Sequence, residues 1–162
     1  LKHLKLNYPL LVISSALIEV TANYLLKGKY HDIILDFTFD IHLIVYTLLF
    51  LFLNYNIKSP GFKFIAIGSL FNFVTILFNK GFMVVDTAML NIYQKTESLR
   101  ILEKYEYFGH KAYEENAEKF YYLADIINLP PPYPLPKTVS IGDILLSIGV
   151  SIYIYKSLTK EG

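Results

Sequence analysis

Long apolar runs, too long and too continuous for the core elements of a water-soluble domain, set the limits on what this chain can fold into. The first, "NYPLLVISSALIEVTANYLLK", covers about residues 7–27, and the second, "FDIHLIVYTLLFLFLNYN", about 39–56. A third, opened by Ser59-Pro60-Gly61 and rich in phenylalanine, covers about 61–79, and the last about 140–156. Each comes near the ~20 residues that cross a ~30 Å hydrocarbon layer at 1.5 Å per residue; the last is the shortest. Composition agrees: 54% of the 162 residues are hydrophobic and 18% charged, against roughly 45–50% and 25% in soluble domains. The pattern predicts an all-α, polytopic membrane bundle of four transmembrane helices, residues 1–162 forming a single membrane domain in contact with lipid. A net charge of +1 and the absence of a basic face leave no footprint for nucleic acid. With no cysteine, thiolate metal sites and cysteine nucleophiles are excluded. Basic residues ahead of the first run have the look of a signal peptide, but Glu19, Asn23 and three further runs favour an uncleaved helix.

Between the third and fourth runs lies an insert of mixed polarity, about residues 86–139 with its strap. Apolar residues recur at helical spacing, first Met89, Tyr93, Leu99, Leu102 and Tyr105, later Phe120, Leu123 and Ile127, with charges between them. Two amphipathic helices broken near Phe108-Gly109 are expected. The following "LPPPYPLPK" reads as an extended polyproline-like strap leading into Ser140. Lysines set the orientation. Lys2, Lys5, Lys58, Lys63, Lys156 and Lys160 share one side of a four-span bundle, which places both termini in the cytoplasm and the insert at the outer face.

Asp143 stands at the mouth of the last run, in "SIGDILLSIG". Ser140-Ile141-Gly142-Asp143 has capping-box spacing, in which the serine and the acid satisfy each other's backbone amides at a helix start. Gly142 and Gly149, seven apart on one helix face, allow a close neighbour helix. Asp86, in "NKGFMVVDTAM", reads as the cap of a helix starting near Thr87. If the two carboxylates met, one would retain a proton, and the pair could activate water and protonate a leaving group.

"KGFMVVD" followed by "SIGDILLSIGV" resembles the acid motifs of lipoprotein signal peptidase, a four-helix membrane aspartyl peptidase. Gly81, Val84, Val85 and Asp86 carry the first motif, with one extra residue before the acid; Asp143 and Gly149 carry the second. The resemblance implies Asp86 and Asp143 as a catalytic pair. The Asp-Arg that follows G-N in that family is absent, since Phe73, Val74 and Thr75 follow Asn72. A longer resemblance, over roughly residues 65–155, is to an uncharacterised family of bacterial inner-membrane proteins. It is carried by Gly68, Asn72, Gly81, Met83, Val85, His110, Leu123, Asp125, Ile126, Ser140, Gly142 and Asp143. It implies a membrane location and no assigned activity, and it draws His110 and Asp125 into the pattern.

Remaining candidates are polar residues within or over the spans. Glu19 and Asn23 lie four apart on one face of the first, and Asn72 and Thr75 lie in the third; ionisable groups at such depth are functional suspects. His110 and Asp125, fifteen apart, would meet only if the insert folds back; otherwise each is a solvated group. His42, near Asp40, is expected at the membrane interface. No histidine-carboxylate spacing suited to a metal is present and no cofactor is expected. Three readings follow: a binding or assembly component with a polar cluster at the outer face (His110, Asp125, Asn72, Glu19), working with protein partners or as a homo-oligomer; an aspartyl peptidase using Asp86 and Asp143; and a small transporter subunit.

Overall fold

A computed structural model describes residues 6–88, 92–104, 107–114, 118–129 and 137–159. Four apolar helices carry the architecture: α1 Pro9–Leu26, α3 Thr38–Asn56, α4 Phe62–Phe78 and α6 Ile141–Leu158, with a six-residue α2, His31–Asp36, between the first two. Pro9 sits where its missing N–H costs nothing and its fixed φ starts α1. Asn56, at the end of α3, donates to the Asn7 carbonyl at 2.9 Å and accepts from the Asn7 amide at 2.8 Å, so α1 and α3 are tied antiparallel.

The α3–α4 turn closes on Gly61, whose φ of 82° suits a residue without a Cβ. Gly61 then meets Gly149, and seven residues on Gly68 meets Gly142. A Cβ on Gly68 would lie 2.5 Å from the Gly142 carbonyl oxygen, and one on Gly142 would lie 2.7 Å from that of Gly68. Two glycines on each antiparallel partner thus bring the backbones of α4 and α6 together, the kind of contact that replaces the hydrophobic effect where lipid is the solvent. The helices therefore form two pairs, α1 on α3 and α4 on α6, joined through α3 and α4, with no substantial packing between α1 and α6.

The span boundaries agree with the apolar runs to within two residues, but two expectations about length are corrected. The last helix runs on to Leu158, and α4, at 17 residues, is shorter than α1, α3 and α6. Among the described residues these three are long and apolar enough to cross a membrane. The sequence reading also did not separate α2 from its neighbours.

The insert departs most from expectation, so that the protein is mostly helical rather than all-α. One amphipathic helix is present, α5 Ile92–Glu103. In place of the second there are strands: β1 Met83–Val85 and β2 His110–Ala112 pair in parallel across the α5 crossover, and β3 Ile127–Leu129 pairs antiparallel with β4 Lys137–Val139. Phe120, with φ 56°, opens a single 3-10 turn, Tyr121–Leu123. The cause is burial of backbone. Met83, Val84 and Val85 are all buried, and their amides and carbonyls need partners. The β2 strand supplies one side, and Asp125, bridged to Val85, supplies the other.

The insert roofs one end of the bundle. Phe108, 2% exposed, packs on Ala22 and Leu26 of α1 and stacks on His42 of α3 with ring centroids 4.9 Å apart. Its amide donates to the Asn23 side-chain oxygen at 3.1 Å. On the other helix pair, Asn79 at the end of α4 donates to the Lys119 carbonyl at 2.8 Å and accepts from its amide at 2.9 Å. Met89, Tyr105, the prolines of 130–136 and the terminal lysines Lys2, Lys5 and Lys160 lie outside the described residues.

Candidate functional site

Ser140 has extended backbone geometry, φ −88° and ψ 166°, which turns its side chain back over the first turn of α6. Its Oγ accepts from the Asp143 amide at 2.9 Å, and Asp143 Oδ2 accepts from the Ser140 amide at 3.3 Å, completing the capping box. The same two side chains reach α4. Asn72 Nδ2 donates to Asp143 Oδ1 at 2.8 Å, and Ser140 Oγ donates to Asn72 Oδ1 at 2.8 Å. Asn72, Ser140 and Asp143 therefore close a ring of hydrogen bonds, with Ser140 fully buried and Asn72 nearly so. Gly142 makes room for it, since a Cβ there would run into the Asn72 side-chain oxygen. In a low-dielectric setting a satisfied polar ring fixes geometry, whereas a broken one is costly.

The roof adds a second layer. His110 Nδ1 pairs with the Phe108 carbonyl at 2.8 Å, which makes it the protonated nitrogen and leaves Nε2 facing Asp125 Oδ2 at 3.9 Å. The insert does fold back, and it brings together a histidine and an acid fifteen residues apart. Tyr107 stacks on the His110 ring at 4.2 Å between centroids. Desolvation, then the charges of Glu19, Asp125 and Asp143, hold the Tyr107 hydroxyl above the ordinary tyrosine range. Tyr46, on α3, packs within 6.4 Å of the His42 ring, centroid to centroid.

Glu19 lies on the stripe of α1 that carries buried Ser15, Ala22 and Leu26, yet its own side chain is exposed. His42, expected at the interface, is instead buried beneath Gly109 and Phe108, with Nδ1 paired to the Thr38 carbonyl at 3.1 Å. Tyr46, Tyr107 and His42 were not singled out for the polar site; a histidine and a tyrosine four apart within the second apolar run were the available signal.

Asp86 has a different setting. It accepts from the Ala88 amide at 2.7 Å and from the Tyr121 hydroxyl at 2.5 Å, a bond that pushes the tyrosine up to about 12. It closes a local turn in which Thr87 and Ala88 are not helical, so no helix starts at Thr87. No hydrogen bond or ion pair joins Asp86 to Asp143; each has its own partners. Among the described residues no group of three or more His, Asp or Glu could hold a metal ion.

Burial pushes the His110 imidazole below its ordinary value of 6.5, against the smaller upward pulls of the Phe108 carbonyl and the Asp143 charge. A depressed folded-state pKa means that the unfolded chain takes up the proton first. Stability is therefore full above pH 6.5 and falls as pH drops from 6.5 towards the lower folded value. Thermal melts from pH 7.5 to 5.5 are expected to show this loss, and His110→Gln to flatten it. An unchanged slope in the variant would place the proton elsewhere.

The fold and site define a mostly helical protein with membrane-length apolar helices and a polar centre under a folded roof. The chain belongs to DUF5317, a family of unknown function, which matches residues 3–155. An uncharacterized protein of Thermotoga maritima is similar, 37% identical over 108 residues, covering 67% of this chain and 58% of that protein. The chain thus matches less than two thirds of that relative's length. No solved structure matches. Nine of the twelve residues that carried the longer resemblance contact one another: Gly68 with Gly142, Asn72 with Ser140 and Asp143, Met83 with His110, and Val85 with Asp125.

Proposed function

We propose that this chain is an integral membrane protein of four spans, α1, α3, α4 and α6, with cytoplasmic termini. It serves as a binding or assembly component through the polar centre at its outer face. α4 is about 26 Å long at 1.5 Å per residue, slightly short of the hydrocarbon layer, and its Asn79 end is already engaged by the roof. One observation carries the binding role: the insert folds back to set His110 Nε2 3.9 Å from Asp125 Oδ2, at the end of the bundle where Asn72, Ser140 and Asp143 close their ring. Ionisable groups gathered at this depth are expensive to maintain, and their usual use is recognition or ion handling. The Asn72–Ser140–Asp143 ring supplies the rigid floor.

The test uses protein extracted from its own membranes and examined by native mass spectrometry. The wild type is expected to carry a bound species that Glu19→Gln combined with His110→Asn reduces about tenfold, a loss of one charged hydrogen bond. The variant must remain in the membrane fraction with an unchanged melting temperature. Equal retention by a folded variant would remove the binding role.

A further inference from the structure

Phe120 belongs to the roof, forty-two residues beyond Phe78 in the chain, yet its ring packs on the Phe78 ring with centroids 4.9 Å apart. That contact lies outside the bundle. Ile67, Leu70 and Phe78 are exposed along one face of α4, turned away from buried Gly68, Asn72 and Thr75. Phe120 itself is 46% exposed. It takes left-handed backbone, φ 56°, unusual for a bulky side chain, at the start of a 3-10 turn that packs on both α4 and α6. From the same turn stands Tyr122, at 78% the most exposed large apolar side chain among the described residues. We propose that Phe120 and Tyr122 are seated in the lipid bilayer interface, where they carry the lipid face of α4 onto the roof.

Depth argues for lipid from below. Lys63, at the other end of α4, and Phe78 are fifteen residues apart, about 22 Å along the helix. With the Lys63 ammonium at one boundary, Phe78 still lies within a hydrocarbon layer ~30 Å thick, and Phe120, packed against it, shares that depth. Two lysines set the limit from above. Asn79 follows Phe78 and holds the Lys119 backbone through two hydrogen bonds, so Lys80 and Lys119 leave the chain on either side of this clasp. Both are exposed, and among the described residues neither makes an ion pair. The acids nearest by are engaged: Glu118 with Lys111 at 3.2 Å, and Asp86 with the Ala88 amide and the Tyr121 hydroxyl. An ammonium group does not rest in hydrocarbon, but a lysine stem lets it reach the headgroups. Apolar rings below and free ammonium groups above match the two sides of a membrane interface, where tyrosine with its polar tip is enriched.

This inference rests on the membrane reading and is independent of the polar centre. The chain has no tryptophan, so Phe120→Trp, Tyr122→Trp and Leu70→Trp each give a full-length protein with one emitter. Each would be reconstituted into phosphatidylcholine vesicles whose acyl chains carry bromine either near the glycerol or near the methyl end, and its fluorescence compared with that in unbrominated vesicles and in aqueous iodide. Leu70→Trp, in mid-span, should lose most emission to the deep bromines. Phe120→Trp should lose most to the shallow bromines, little to iodide, and emit further to the blue than tryptophan in water. Tyr122→Trp, at a site with no packing to disturb, should show the same preference for shallow bromine and gives the answer if Phe120→Trp does not fold. Quenching of both roof variants by iodide alone, with Leu70→Trp still quenched by bromine, would overturn this proposal and leave the membrane reading standing. Protection of both from iodide and bromine alike would also overturn it, because a protein surface would then cover the patch. Leu70→Trp untouched by bromine would overturn the membrane reading and this inference with it.

Discussion

Gly142→Leu is expected to leave little folded protein. The new Cβ would meet the Asn72 side-chain oxygen and the Gly68 carbonyl, and the second is backbone, which no rotamer can relieve. Over-packing of this kind costs about 1–3 kcal/mol. Forcing Asn72 away from Ser140 and Asp143 adds the cost of buried polar groups left unmet, about 1–3 kcal/mol. Together these, about 2–6 kcal/mol, reach the lower end of the total stability of ordinary domains, on the order of 5–15 kcal/mol. Unfolding followed in detergent should show it directly, with Gly28→Leu, in an exposed turn, as the matched control. A melt close to wild type would mean that α4 and α6 do not need their glycine contact.

Phe108→Ala is expected to undock the roof. The ring fills a site between Ala22, Leu26 and the His42 ring, and truncating a buried phenylalanine costs about 3–5 kcal/mol. Since the described roof has few other apolar anchors on α1 and α3, the loss should fall on the insert more than on the helices. Limited proteolysis should cut the variant within residues 104–120 well before the wild type, while the helical circular dichroism persists. Cleavage at the wild-type rate would show that the Asn79–Lys119 bonds hold the roof without Phe108.

Legibility of this chain in its sequence divides at the membrane-length helices. Those were readable because apolar length is a one-dimensional property: any 18-residue run of this character can satisfy its own backbone only as a helix. The capping box at Ser140 and Asp143 was readable for a similar reason, since its partners are three residues apart. The near glycine pair, Gly142 and Gly149, announced a close neighbour without saying which, and only the fold supplies Gly61 and Gly68. The insert was misread because Phe120, Leu123 and Ile127 are spaced as a helix would space them, yet the buried Met83–Val85 backbone demanded strand partners from far along the chain. His110 and Asp125 belong to that same long-range pairing. Each flanks β1, and nothing within fifteen residues of sequence indicates it. Asp86 shows another outcome: a motif suggested Asp143 as its partner, but the Ala88 amide in a local turn took one of its oxygens and the Tyr121 hydroxyl the other.

The Asn72 ring also fixes an order of assembly. Its bonds to Ser140 and Asp143 join residues 68 and 71 apart, and the Phe108–Asn23 bond spans 85. Synthesis delivers α1, α3 and α4 long before α6, so a growing chain first places Asn72 in its helix with a polar amide and no interhelical partner. Contacts of such sequence separation close late, after the entropy of the intervening loop has been lost. The last helix made is therefore the one that converts three apolar rods into a site, and a chain interrupted ahead of Ser140 would keep Asn72 without either of its ring partners.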